Sequence, residues 1–259
     1  MANTVRKRFG QHFLRDASVV ERILAAIDAQ PGDNLLEIGP GRGALTAGLL
    51  ASGCTLHAIE LDRDLAPLLR ERFAGQTRFH VHQGDALKLT LASLRPAPAT
   101  RWRIVGNLPY NISTPLLFHL LAQYREIADL HVMLQREVVQ RMAAAPGGRD
   151  YGRLTVMLAP YTEVEALFDV SPECFSPPPK VWSTVAHLKL RRDPAFAIDA
   201  RYGRLVLAAF SQRRKTLRNA LRSELDTAAI EACGIDPGVR PETLTPAEFG
   251  KLALAARSS

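Results

Sequence analysis

Four consecutive residues, Asn107-Leu108-Pro109-Tyr110, carry the most specific chemistry in the chain. They follow Ile104-Val105-Gly106, so they sit where a buried strand opens into a loop. An asparagine side-chain oxygen and a neighbouring backbone carbonyl, from Leu108 or Pro109, can each accept one N–H of a planar exocyclic amine. Such acceptors favour a pyramidal nitrogen and aim its lone pair, which in adenine N6 is otherwise delocalised into the ring. Tyr110 offers a face for stacking an extruded base. A methyl group carried on a sulfonium is already activated, so its transfer needs no metal, nucleophilic side chain or strong base, and none is evident. The competing reading is a proline-containing turn over a core tyrosine; the strand-end position weighs against it.

A second set of residues suits a nucleoside. Glu37-Ile38-Gly39-Pro40-Gly41-Arg42-Gly43 runs from an apolar strand into a helical stretch, and its glycines permit positive φ and close approach of a ligand to the backbone. The spacing is G-x-G-x-G rather than the G-x-G-x-x-G of dinucleotide sites. Alone, the loop is equally a tight strand-to-helix turn. Glu60 closes the next apolar run, about 20 residues on, where an acid binds ribose hydroxyls; Asp62 and Asp64 beside it also suit a solvated helix start. Asp85 follows Phe79-His80-Val81-His82 and is alternatively a helix N-cap. Gly39, Glu60, Asp85 and Asn107 all fall at the carboxyl ends of successive strands, the edge at which open α/β sheets bind ligands. That coincidence favours a nucleoside-containing cofactor.

Holding four strand ends in one row requires a largely parallel sheet with helices on both sides. Apolar runs at Leu35–Ile38, Leu56–Ile59, Phe79–His82, Ile104–Val105 and His131–Leu134 alternate with helical patterns such as Val19, Ile23 and Ile27, spaced four apart. Val164–Val170 and Val181–Leu190 alternate better and predict an antiparallel edge around the non-helical Ser176-Pro177-Pro178-Pro179-Lys180. Beyond Arg191-Arg192-Asp193-Pro194 the pattern turns helical. The expected division is a catalytic domain at 1–195 and a helical RNA-contacting domain at 196–259.

The 259 residues carry 33 Lys and Arg against 26 acids, a net charge of +7 that favours polyanionic partners. Cys54, Cys174 and Cys233 are too dispersed for a zinc site or disulfide framework. No apolar run approaches a membrane span, and Arg6-Lys7-Arg8 precedes no signal-like segment, so a soluble, cytoplasmic, monomeric protein is expected.

Taken together, Lys7–Leu14, Glu37–Gly43, Glu60-Leu61-Asp62, Gly84-Asp85-Ala86, Asn107–Ser113, Gln135–Val138, Tyr151–Leu154, Phe175–Val181 and Phe210–Asn219 closely resemble the ribosomal RNA adenine N6,N6-dimethyltransferase family, whose loss confers kasugamycin resistance. The resemblance implies an α/β fold with a Rossmann-like seven-strand S-adenosylmethionine methyltransferase sheet and a small α-helical C-terminal domain. It implies S-adenosyl-L-methionine as cofactor, and as substrate two adjacent adenines in the 3′-terminal hairpin of 16S ribosomal RNA, within the small subunit or its precursor. By position, His12, Leu14, Gly39, Glu60, Asp85 and Asn107 would line the cofactor pocket, Glu60 on the ribose and Asp85 on the cofactor's adenine amine. Asn107, Pro109 and Tyr110 would handle the target base, with Phe175 as a second stacking face. His12 stands where many relatives carry Asn, and Trp182 where an Asp commonly follows the Pro-Lys-Val segment.

Arg213, Arg214, Lys215, Arg218 and Arg222 fall on one predicted helix, with Arg214, Arg218 and Arg222 four apart on one face and Phe210, Leu217 and Leu221 turned inward. Uniform positive charge destabilises an isolated helix, so the stripe is expected to bind phosphates rather than merely face solvent. Arg6-Lys7-Arg8 would add a flexible arm. A DNA adenine methyltransferase, a resistance enzyme acting on large-subunit RNA, and a ribosome-assembly factor acting by binding are the alternatives; the intact Asn107–Tyr110 segment favours retained catalysis.

Overall fold

The computed structural model describes residues 12–94 and 101–256; Arg6, Lys7, Arg8 and the start of the Lys7–Leu14 segment lie outside the described residues. The strands are β1 (Phe13–Leu14), β2 (Asn34–Ile38), β3 (Thr55–Glu60), β4 (Phe79–Gln83), β5 (Trp102–Asn107), β6 (Ile127–Gln135), β7 (Thr162–Val170), β8 (Phe175–Ser176) and β9 (Ser183–Leu190). Helices α1 (Ala17–Ile27), α2 (Thr46–Ala51), α3 (Leu65–Arg72), α4 (Ser113–Leu121), α5 (Arg136–Met142) and α6 (Arg153–Leu158) lie among them. After β9 come α7 (Tyr202–Ser211), α8 (Leu217–Ala220), α9 (Thr227–Ala232) and α10 (Pro246–Ala255).

Seven strands form one sheet in the order β4-β3-β2-β5-β6-β9-β7. The pairs β2–β3, β3–β4, β2–β5 and β5–β6 are parallel, and β9 returns antiparallel to β6. The α/β sheet expected from the alternating runs is therefore present, with β7 and β9 as its edge. The chain builds outward from β2 to β4 and then crosses back to β5, which makes the gap between β2 and β5 the switch point. Every residue of β2 is buried, as expected of a central strand covered on both faces. Asp16 caps α1 by accepting the Val19 N–H at 3.1 Å, and Val19, Ile23 and Ile27 pack inward at the helical period.

The chain divides into two compact units, residues 1–139 with 164–190, and 140–163 with 191–259. This differs from a cut at 195. Tyr151 and Val156 are buried in one core with Tyr202, Leu205, Leu217, Phe249 and Leu252. Tyr151 donates its hydroxyl to the Leu244 carbonyl at 2.7 Å, and Tyr202 donates to that of Val156 at 2.8 Å. Residues 140–163 thus belong by packing to the second unit.

Gly106, one residue before the end of β5, has φ 154°, and a β-carbon there would lie 2.4 Å from the Ile38 carbonyl oxygen. No side chain can relieve that approach, because the opposing atom is backbone. Gly106→Ala is expected to destabilise the protein by roughly 2–4 kcal/mol; urea unfolding checks this, and a parental midpoint would show that the strand ends can separate freely.

Candidate active site

The glycine loop leaves β2 through three positive-φ positions, Gly39 at 65°, Gly41 at 57° and Gly43 at 78°. The Gly39 N–H donates to the Ile59 carbonyl at 3.0 Å, which draws the loop against the end of β3. There the Glu60 carboxylate accepts the Gly41 N–H on Oε2 at 3.0 Å and the Asp62 N–H on Oε1 at 2.9 Å. Each oxygen keeps further acceptor capacity, so the carboxylate is fixed in place yet able to take two hydroxyl donors. Glu60 is buried; burial raises its pKa, and the N–H bonds offset that rise only in part.

Asp85 follows β4 and spends Oδ1 on the Leu87 N–H at 2.9 Å, which realises the N-cap. Its second oxygen has no partner among the described residues, and Asp85 lines the same cavity as Glu60.

Asn107 ends β5. Its Nδ2 donates to the His12 carbonyl at 3.0 Å, which leaves Oδ1 as an unengaged acceptor. Of the two carbonyls offered by the loop, that of Pro109 is taken by the Ile112 N–H at 3.1 Å. The Leu108 carbonyl has no donor among the described residues, so it is the available second acceptor. The Leu108 N–H is anchored on the Met133 carbonyl at 3.1 Å. The Tyr110 hydroxyl meets Ser183 Oγ at 2.6 Å, and its ring stacks with His12 at 5.7 Å and 29°. Burial raises the Tyr110 pKa, so the phenol stays protonated. His12 is oriented in turn by donating Nδ1–H to the Pro177 carbonyl at 2.7 Å.

His12, Leu14, Gly39, Glu60, Asp85, Asn107, Pro109 and Tyr110 line one cavity. Two expectations fail. Phe175 is 1% exposed: β8 pairs with β1, setting Leu14 opposite Phe175 and turning that ring into the core with Val170 and Val185, where it offers no face to a base. The five basic residues do not share a helix. The helix stops at Ser211, Gln212–Lys215 turn, and α8 begins only at Leu217, whose N–H bonds the Val239 carbonyl at 2.7 Å. Arg213 is also taken, by Glu242 at 2.7 Å and the Arg149 carbonyl at 2.9 Å. Arg214, Lys215, Arg218 and Arg222 remain exposed.

Asp129, His131 and His187 bring donor atoms within 4.8 Å of one another. The two imidazoles stack at 4.2 Å and 11°, so an ion in the plane of one ring cannot lie in the plane of the other. Both Asp129 oxygens already receive Arg103 Nε, at 3.2 and 3.1 Å. The grouping fits an ion pair beside a ring stack, not a metal centre.

A family model described as ribosomal RNA adenine dimethylase matches residues 2–256. The chain belongs to that family. It is 56% identical over 250 residues to ribosomal RNA small subunit methyltransferase A of Pseudomonas fluorescens, covering 96% of this chain and 92% of that protein. The protein of the same name in Methylococcus capsulatus is 54% identical, with 96% of each chain covered. Among solved structures, a dimethyladenosine transferase from Plasmodium falciparum superposes with a TM-score of 0.80 at 25% identity, covering 94% of this chain and 96% of that one. The 23S rRNA methyltransferase ErmE gives 0.71 at 28%, covering 94% and 98%. The family therefore has a Rossmann-like methyltransferase sheet, as found here.

Glu37 is a site residue to which the sequence reading gave no role of its own. It is fully enclosed at the end of β2, accepts Thr46 Oγ1–H at 2.7 Å, and burial, with Glu60 nearby, pushes its pKa up to about 7. The folded chain therefore keeps this proton to about pH 7, while the unfolded chain releases it near 4.5. Its contribution to stability is complete below pH 4.5 and is lost as pH rises through 7. Glu37→Gln keeps an acceptor for Thr46 without the charge. Between pH 5 and 8 the parent should lose up to about 3 kcal/mol more stability than this variant. Denaturant unfolding across that range measures it, and parallel pH curves would contradict it.

Proposed function

We propose that this protein transfers methyl groups from S-adenosyl-L-methionine to the N6 amines of two adjacent adenines in the 3′-terminal hairpin of 16S ribosomal RNA, within the small subunit or its precursor. The observation that carries the reading is the pair of unengaged acceptors, Asn107 Oδ1 and the Leu108 carbonyl, held at a strand end beside the glycine loop. The cofactor fits the residues present. Glu60, fixed by two backbone N–H groups, suits the ribose hydroxyls, and the free oxygen of Asp85 suits an amine on the nucleoside ring. Bound there, the cofactor supplies a methyl group already activated on a sulfonium.

The chain's own residues then have a limited task. Asn107 and Leu108 accept the two N–H bonds of the amine, pull it from planarity and direct its lone pair. Tyr110, tied through its hydroxyl, gives the ring a fixed wall. The nitrogen becomes strongly acidic once alkylated, so its proton leaves to water without a dedicated base. The identity to relatives named for the small subunit is about twice that to the 23S enzyme, which favours the small-subunit target. A role in small-subunit biogenesis is compatible with this chemistry, since binding and catalysis use different residues. No helix among the described residues is long and apolar enough to cross a membrane.

The deciding experiment incubates the protein and labelled cofactor with undermethylated small subunits, large subunits and DNA, and maps the modified adenines. Label confined to large-subunit RNA or to DNA would overturn the proposal. Asn107→Ala should slow single-turnover methylation by about a hundredfold or more, since aligned acceptors act on the chemical step, while subunit binding persists. A parental rate would remove Asn107 from the chemistry.

RNA affinity must come largely from outside the cavity, which handles one extruded base. The exposed Arg214, Arg218 and Arg222, with Lys215, suit phosphates and carry no sequence reading. Replacing the three arginines with Ala should weaken subunit binding and flatten its salt dependence, by under about one unit of log–log slope per lost contact. Cofactor affinity should not change. A parental salt slope would make these arginines ordinary solvated charges.

A further inference from the structure

The segment Pro177–Trp182 joins β8 to β9 and is tied at both ends to residues of the cavity. At one end the Pro177 carbonyl accepts His12 Nδ1–H at 2.7 Å; at the other, Ser183 Oγ meets the Tyr110 hydroxyl at 2.6 Å. Between the ties Lys180, Val181 and Trp182 stand exposed, Val181 by 42% and Trp182 by 47%. The Trp182 backbone is anchored, its carbonyl accepting the Arg136 N–H at 3.0 Å. Among the described residues the indole has no aromatic, cationic or hydrogen-bonding partner, and Lys180 has no carboxylate. The chain's other tryptophan, Trp102, is fully buried. The anchored backbone holds the indole in place while about half of its surface faces solvent.

The rings that line this cavity are already engaged. Tyr110 and His12 stack on each other, Arg42 lies over Phe13, and Phe175 is buried. Yet a strand that gives up one base to the cavity leaves its neighbour without a stacking partner. We infer that Trp182 is the platform on which a nucleotide flanking the target adenine stacks, with Lys180 taking an adjacent phosphate. The inference rests on the proposed reading of the cavity as an adenine-methylating site in RNA. Every base has a π-face, so this contact adds affinity and registers the strand without reading its sequence.

The test measures undermethylated small subunits as substrate in steady state, with subunit binding and cofactor binding on the same preparations. Trp182→Ala and Trp182→Asp should raise KM for the subunit and weaken its binding by roughly five- to a hundredfold. At saturating subunit kcat should change little, and cofactor affinity and thermal stability should match the parent. Trp182→Phe should recover most of the loss, because a smaller aromatic face still stacks; a merely structural role at an exposed position would not be restored by an aromatic ring. Parental KM and binding in Trp182→Ala, with the parent methylating normally, would overturn the stacking role alone. Failure of the parent to methylate small-subunit adenines would overturn the underlying reading, and this inference with it.

Discussion

The Ile38 carbonyl and Gly106 stand so close that no β-carbon fits between them, and the site depends on this contact between neighbouring strand ends. It places the loop leaving β2 beside the loop leaving β5 at the point where the strand order reverses. One side presents the glycine loop's backbone with Glu60 from the end of β3, the other a pair of acceptors and the Tyr110 ring. A wider gap would separate the two halves and lose the alignment on which transfer to a weakly nucleophilic amine relies.

The buried acids show how the first half is held together. Glu60 does not merely face the cavity; it ties the glycine loop to the start of the segment after β3 through the Gly41 and Asp62 N–H groups. Glu37 lies beneath, satisfied by Thr46. Two carboxyl groups in one enclosed place cannot both ionise cheaply. Burial raises both, Glu37 to about 7, and the two backbone N–H bonds to Glu60 favour the charge on that carboxyl over Glu37.

What the sequence made legible follows from how local each determinant is. Gly39, Glu60, Asp85 and Asn107 could be placed because strand ends announce themselves through apolar runs that stop at a glycine or a polar residue. The period-four pattern of Val19, Ile23 and Ile27 was equally local. The burial of Phe175 is not legible locally, because it is decided by pairing with Leu14, far away in sequence. The basic residues recur at helical spacing, which predicts one helix. The break at Gln212–Thr216 comes instead from partners beyond the window, with Arg213 drawn to Glu242 and the Leu217 N–H to Val239. Residues 140–163 read as part of the first unit because chain order suggests it; Tyr151 and Val156 find their packing in the second.

The bond from Asn107 Nδ2 to the His12 carbonyl fixes which way the amide faces. On the proposed reading, Asn107, held by that bond, turns its Oδ1 lone pairs toward the reacting position, as does the Leu108 carbonyl. An amino group meets two acceptors there, but a keto oxygen would meet lone pairs with its own. The arrangement therefore disfavours a keto oxygen at that position, such as O6 of guanine or hypoxanthine or O4 of uracil, by electrostatic repulsion. It does not separate adenine from cytosine, since both carry an amine at the corresponding place on the Watson–Crick edge, and that distinction falls to the size of the ring and the register of the strand.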